Sequence, residues 1–112
     1  MTHLTQESCV ACRSGAPQVT ASEIEELLPA IPEWRMAEKD GVRRLTRTFR
    51  FPDFARALAF TERVGALAEQ EDHHPEIVTA WGSVTVTWWT HKIRGLHRND
   101  FIMAAKTDSL IS

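Results

Sequence analysis

Residues 77–91, Ile77-Val78-Thr79-Ala80-Trp81-Gly82-Ser83-Val84-Thr85-Val86-Thr87-Trp88-Trp89-Thr90-His91, decide the fold. Most of these residues are β-branched or aromatic, and the one glycine sits mid-stretch. The pattern predicts two strands, 77–81 and 84–91, joined by Gly82-Ser83, a two-residue connection with glycine first, as a type II′ hairpin turn requires. Counting outward from that turn pairs Trp81 with Val84. Ile77, Thr79 and Trp81 then share an almost wholly apolar face with Val84, Val86 and Trp88, which is the side to bury. Glu76, Val78, Ala80, Thr85, Thr87, Trp89 and His91 line the opposite face, and the same count sets His74 across from His91.

Working outward, Asp53 can cap a helix in which Phe54, Ala57, Phe60, Val64 and Leu67 recur at spacings of three and four, running to about Glu71. Before it, residues 33–37 and 42–51 read as strands joined by a turn at Asp40-Gly41, whose glycine accepts positive φ. Thr20-x-x-Glu23 matches a capping box for a short helix carrying Ile24, Leu27 and Leu28, which Pro29 stops. After the second hairpin, Gly95 breaks the strand, Asn99 is the expected cap of a last helix, and Phe101, Ile102 and Ala105 supply its apolar side. Two hairpins separated by a helix exclude a run of parallel crossovers. The expected fold is α+β, a four-stranded antiparallel sheet with helices packed on one face, over residues 20–112. Residues 1–19 lack periodicity and read as a flexible lead-in.

The 112 residues suffice for one domain with its own core, without staples or metal. A net charge of −2 offers no field to draw in nucleic acid non-specifically. No stretch approaches the ~20 apolar residues of a membrane-spanning helix, and the N-terminus lacks the basic and apolar regions of a secretory signal, so a cytoplasmic location is expected. Cys9 and Cys12 are too few and too close to staple the fold.

The register gathers His73, His74 and His91 at one end of the second hairpin, with Glu69, Glu71, Asp72 and Glu76 near in sequence. An imidazole can both donate and accept a proton near neutrality when a carboxylate orients it, so the cluster suits acid–base chemistry. Two other readings stand beside it. The histidines can simply fill polar sheet edges, or three imidazoles and a carboxylate can hold zinc, although no His-Glu-x-x-His or paired Cys-x-x-Cys pattern supports a metal.

Glu69-x-x-x-His73-His74-Pro75, five residues, Trp81, nine residues, His91, eight residues, Asp100 resembles the signature of the pterin-4a-carbinolamine dehydratases, and the similarity extends over residues 20–108. Bacterial members with a Cys-x-x-Cys lead-in are the most similar. The resemblance implies dehydration of a 4a-hydroxytetrahydropterin to the quinonoid dihydropterin, recycling the pterin of an aromatic amino acid hydroxylase, with no metal or organic cofactor. It implies His73 and His91 as catalytic imidazoles, His74 as a substrate-contacting neighbour, Asp100 as the carboxylate associated with the second imidazole, and Glu69, Trp34, Pro75 and Trp81 about the substrate. It also implies a homodimer or homotetramer. A non-catalytic dimerisation or transcription-cofactor module is the rival function, and the complete histidine set favours the enzyme.

Several residues keep structural readings beside the functional ones. Asp100 near a helix N-terminus stabilises the helix dipole whatever else it does. Trp34 fits a core position as well as a stacking platform, and Trp89 fits a subunit interface as well as the pocket. Cys9 and Cys12, with His3, fall short of a tetrahedral zinc site. Arg43, Arg44, Arg47 and Arg50 read as a solvated strand face, while Arg94, His97 and Arg98 fall near the pocket mouth. The uncovered sheet face with Val78, Ala80 and Trp89, together with open edge strands, gives a physical motive for self-association.

Overall fold

The capping box at Thr20 forms as its sequence dictates: the Thr20 hydroxyl accepts from the Glu23 N–H, and the Glu23 carboxylate accepts from the Thr20 N–H. It opens α1 (Ala21–Leu27), which tightens into a 3₁₀ turn over Leu28–Ala30 at Pro29. The computed structural model describes residues 4–9 and 16–111. Beyond α1 come β1 (Arg35–Lys39), β2 (Val42–Arg50), α2 (Phe54–Glu71), β3 (Glu76–Ala80), β4 (Ser83–Trp88) and α3 (Arg98–Ser109). Residues 33 and 34 lie in the turn that precedes β1, so the first strand starts two residues later than its sequence suggests.

Asp40 and Gly41 both take positive φ, at 54° and 77°, the condition of a type I′ hairpin turn. Asp53 caps α2 by accepting from the Arg56 N–H at 2.8 Å. The four strands are all antiparallel in the order β1-β2-β4-β3. Leu45 and Phe49 of β2 and Val84, Val86 and Trp88 of β4 face Ala57, Phe60, Val64 and Ala68 of α2 and Phe101, Ile102 and Met103 of α3, all buried. The helices therefore cover one face, as the alternation requires. Among the described residues no helix is long and apolar enough to cross a membrane.

The second hairpin differs from its expected register. Ala80 pairs with Ser83 and Ile77 with Val86, so Trp81-Gly82 forms the connection, and Trp81 is 70% exposed rather than buried. Neither turn residue takes positive φ, so no type II′ turn forms. Its glycine serves close packing instead: the Gly82 carbonyl accepts from the Phe51 N–H at 2.9 Å, and a Cβ there would sit 3.1 Å from the Phe51 carbonyl oxygen. The shift moves pairing by two residues, which preserves face parity, and Ile77, Thr79, Val84, Val86 and Trp88 still share the helix side. The fourth strand ends at Trp88 rather than His91.

The arginines on β2 also depart from a uniform solvated face. Arg43 and Arg50 are exposed, but Arg47 pairs with Asp108 at 2.6 Å and lies over the Phe49 ring.

Residues 4–9 are part of the body, not a free lead-in. Leu4, in a 3₁₀ turn over Leu4–Gln6, is buried in the core. Glu7 takes two hydrogen bonds from Arg98, at 2.9 and 2.7 Å, and the Cys9 N–H donates to Glu71 at 3.0 Å. That N–H, aided by Lys106, holds the Glu71 carboxyl below its ordinary value against the opposing pull of burial. A depressed folded-state pKa contributes stability that is present above the unfolded value and is lost as pH falls through the folded one. The Cys9 amide proton resonance is accordingly expected to titrate with a midpoint below 4.5, as read by NMR, and to lose that titration in Glu71→Gln.

Candidate active site

α2 ends where Asp72 takes a left-handed conformation (φ 51°) and the His73 N–H turns back to the Ala68 carbonyl at 3.1 Å. Asp tolerates this region better than most side chains. The turn carries His73 inward, where its side chain is 10% exposed, and leaves His74 outside. Pro75 follows, favouring extended backbone before it and leading into β3.

The His73 ring lies parallel to the Trp88 indole, 5.7 Å away at 5°. Its Nε2 is 2.7 Å from Asp100 Oδ1. Asp100 is fully buried (0% exposed), and its other oxygen accepts from the Thr90 hydroxyl at 2.8 Å and the His97 N–H at 2.9 Å. A buried carboxylate is tolerated only when its oxygens are satisfied in this way. Against a carboxylate acceptor, His73 Nε2 must donate, which leaves Nδ1 as the acceptor of the neutral ring. His73 Nδ1 has no hydrogen-bond partner among the described residues.

His97, not Asn99, caps α3: its Nδ1 accepts from the Asn99 N–H at 3.1 Å, and Asp100 closes the box from the third helical position. Asp100 was expected to serve the second imidazole, yet it holds His73. The reason is topological. β4 stops at Trp88, the backbones of Thr90 and Gly95 bond to each other, and the loop between them swings His91 to the surface while Thr90 reaches Asp100.

His91 begins a 3₁₀ turn (His91–Ile93) and donates from Nε2 to the His74 carbonyl at 3.3 Å. The two are neighbours through this bond rather than as ladder partners. His74 Nε2 is in direct hydrogen-bond contact with Glu69 Oε2, one turn back on α2. His73, His74, His91, Glu69 and Asp100 thus converge. Trp34 and Trp81 do not join them. Trp34 is buried edge-on to Phe49, with its indole N–H donated to Asp108 at 2.8 Å near the far end of α3, and Trp81 tips the distal hairpin turn. Trp89 packs against His91 with ring centroids 4.5 Å apart.

Among the described residues no group of three or more His, Cys, Asp or Glu is arranged to hold a metal. Cys9 is a free thiol whose pKa is pushed up to about 12, first by burial and then by the Glu71 carboxylate, which disfavours the thiolate a metal needs. His3 and Cys12 lie outside the described residues. Sequence reasoning missed Thr90, and it named His97 near the pocket mouth without its capping role. For His97 a local signal existed, since His-x-x-Asp has capping-box spacing.

A profile of the pterin 4 alpha carbinolamine dehydratase family matches residues 17–110. The chain belongs to this family. It is 63% identical over 111 residues to a protein of Syntrophotalea carbinolica provisionally named pterin-4-alpha-carbinolamine dehydratase, covering 99% of each chain. A relative of the same provisional name in Nitrosococcus oceani is 59% identical over 111 residues, covering 99% and 98%. Among solved structures, a transcriptional coactivator/pterin dehydratase from Brucella melitensis superposes with a TM-score of 0.76 at 36% identity, over 86% of this chain and 100% of that one. A pterin dehydratase-like protein described as a RuBisCO assembly factor in the alpha-carboxysome gives 0.60 at 28% identity, over 70% and 88%. Proteins of this fold are therefore described in more than one role.

In this dehydratase-family site, Asp100→Ala leaves His73, Thr90 and His97 without their acceptor and is expected to destabilise the fold by about 3 kcal/mol. Thr90→Val removes one donor and is expected to destabilise it by about 1 kcal/mol. Urea unfolding followed by circular dichroism measures both.

Proposed function

We propose that this protein dehydrates a 4a-hydroxytetrahydropterin to the quinonoid dihydropterin and water by histidine acid–base catalysis. The observation that carries the reading is the His73–Asp100 pair, an imidazole backed by a buried carboxylate, next in the chain to the exposed His74, whose carbonyl the exposed His91 contacts. In the reaction the C4a–O bond breaks and the hydroxyl leaves as water after receiving a proton. The adjacent ring nitrogen turns its lone pair into a C4a=N bond and gives up its proton. His73 is suited to accept that proton at Nδ1, because Asp100 stabilises the imidazolium that results. His91, exposed at the surface, is assigned the protonation of the departing hydroxyl, which it performs as an imidazolium because its Nε2–H is donated to the His74 carbonyl. His74, steadied by Glu69, is a substrate contact on the rim. One proton passes from the substrate to His73 and one from His91 to the departing hydroxyl, and exchange with water returns both imidazoles to their starting states. The step as written draws on no metal or organic cofactor, so dialysis against a strong chelator is expected to leave turnover unchanged.

The source of such a substrate is a pterin-dependent aromatic hydroxylation, and the assay follows from that. The carbinolamine is generated with an aromatic amino acid hydroxylase, and its decay is followed with and without this protein. Acceleration is expected, with His73→Ala and His91→Ala each lowering turnover by about 10²–10⁴-fold while folding normally. His74→Ala is expected to raise KM with little change in kcat. No acceleration would favour a non-catalytic role, and the carboxysomal relative is described as an assembly factor.

We also propose self-association. β1 and β3 are the edges of the sheet, and Val78, 54% exposed, marks its uncovered face. Light scattering over a dilution series is expected to give at least twice the 12.7 kDa chain mass.

A further inference from the structure

On the uncovered face of the sheet a line of three side chains leads into the histidine cluster. One step beyond the Leu45–Trp88 pair, the register sets Arg44 of β2 opposite Trp89, just past the end of β4. The Arg44 guanidinium carbon lies 4.0 Å from the Trp89 ring centroid, and the Trp89 and His91 rings are 4.5 Å apart at 34°. The arrangement is cation on indole on imidazole.

Arg44 is half-buried, where Arg43 and Arg50 of the same strand are exposed. Arg47 is paired with Asp108 and Arg98 with Glu7, whereas Arg44 has no ion pair among the described residues. Its Nε is buried without a hydrogen-bond partner. An unsatisfied buried donor is a penalty that an apolar residue at position 44 would avoid. What orients the guanidinium is the indole face, and the guanidinium in turn limits where the indole can go.

His91 needs such a support. It is exposed, it begins a 3₁₀ turn, and apart from the Trp89 contact its ring has only the 3.3 Å bond to the His74 carbonyl among the described residues. One long bond leaves an imidazole free to exchange rotamers, and misplacing a reacting group by about 1 Å can lower a rate 10²-fold. We propose that Arg44 and Trp89 are positioning residues for His91: Arg44 fixes the Trp89 indole, and the indole fixes the imidazole in one orientation beside His73 and His74. The proposal rests on the acid–base role assigned above to His91, and it concerns residues that touch His91 rather than substrate.

The test uses Arg44→Ala, Arg44→Lys and Trp89→Leu in the full chain, with thermal melting to establish that each folds. The first readout is the position of the His91 ring C–H resonances in a ¹H–¹³C spectrum, which the adjacent indole ring current displaces. Arg44→Ala is expected to move them toward their positions in Trp89→Leu, with Arg44→Lys between, because an ammonium keeps the charge but not the planar stack. The second readout is carbinolamine turnover, where Arg44→Ala is expected to lower kcat about five- to tenfold with KM within about twofold. His91 resonances at native positions in Arg44→Ala would overturn the proposal. So would an unchanged kcat, a change confined to KM, or a change in oligomer mass in Trp89→Leu that by itself accounts for the lost rate. If the wild-type protein turns over no carbinolamine, the dehydratase reading fails, and the resonance measurement still decides whether Arg44 orients His91.

Discussion

The Asp100 carboxylate is the interaction on which the rest of the structure depends. It ties the end of α2 through His73, the end of β4 through Thr90 and the start of α3 through the His97 N–H, and it does so with no exposed surface. A buried charge of this kind is unfavourable unless every lone pair is used, so its partners are held as strictly as the carboxylate itself. Three separate chain segments thereby share one small polar centre. The same atoms that hold the segments together fix the tautomer of the inward histidine, so stability and chemistry cannot be separated here.

The imidazoles of the site occupy unlike surroundings, and that difference is what acid–base work requires. His73 is nearly buried, flat against Trp88 and backed by a carboxylate, while His91 and His74 stand at the surface with weaker or solvent-facing partners. Electrostatic interactions strengthen as water is excluded, so the Asp100 charge acts on His73 with little screening. The N-terminal segment lies behind this arrangement, since Cys9 bonds to Glu71, two residues before His73, and Arg98 at the start of α3 holds Glu7.

Features that depend on neighbours in the chain were legible in the sequence. Thr20 and Glu23 form their box, Asp53 caps α2, Asp40-Gly41 makes the first turn, and α2 ends at Glu71, because in each case the interacting groups are within four residues or on one helical stripe. The buried face of the second hairpin was legible even with its turn misplaced, since a two-residue register shift leaves alternation intact. The partner of Asp100 was not. That depends on where β4 stops and which way the Thr90–Gly95 loop carries His91, a tertiary outcome that no local spacing encodes. Trp34 was open to two readings, and the acceptor that keeps it in the core, Asp108, is 74 residues away. Arg44 was read as one of a solvated row because periodicity does not register an indole just past the end of the neighbouring strand.

The account stands on His73 being held by Asp100 in a single neutral tautomer, and ¹⁵N NMR of the histidine ring nitrogens tests this directly. The account predicts that in the neutral ring Nε2 carries the proton, that Nδ1 has the shift of an unprotonated acceptor, and that the preference relaxes toward a mixture in Asp100→Ala. A proton on Nδ1 in the native protein, or a His73 spectrum unaffected by removal of Asp100, would contradict it.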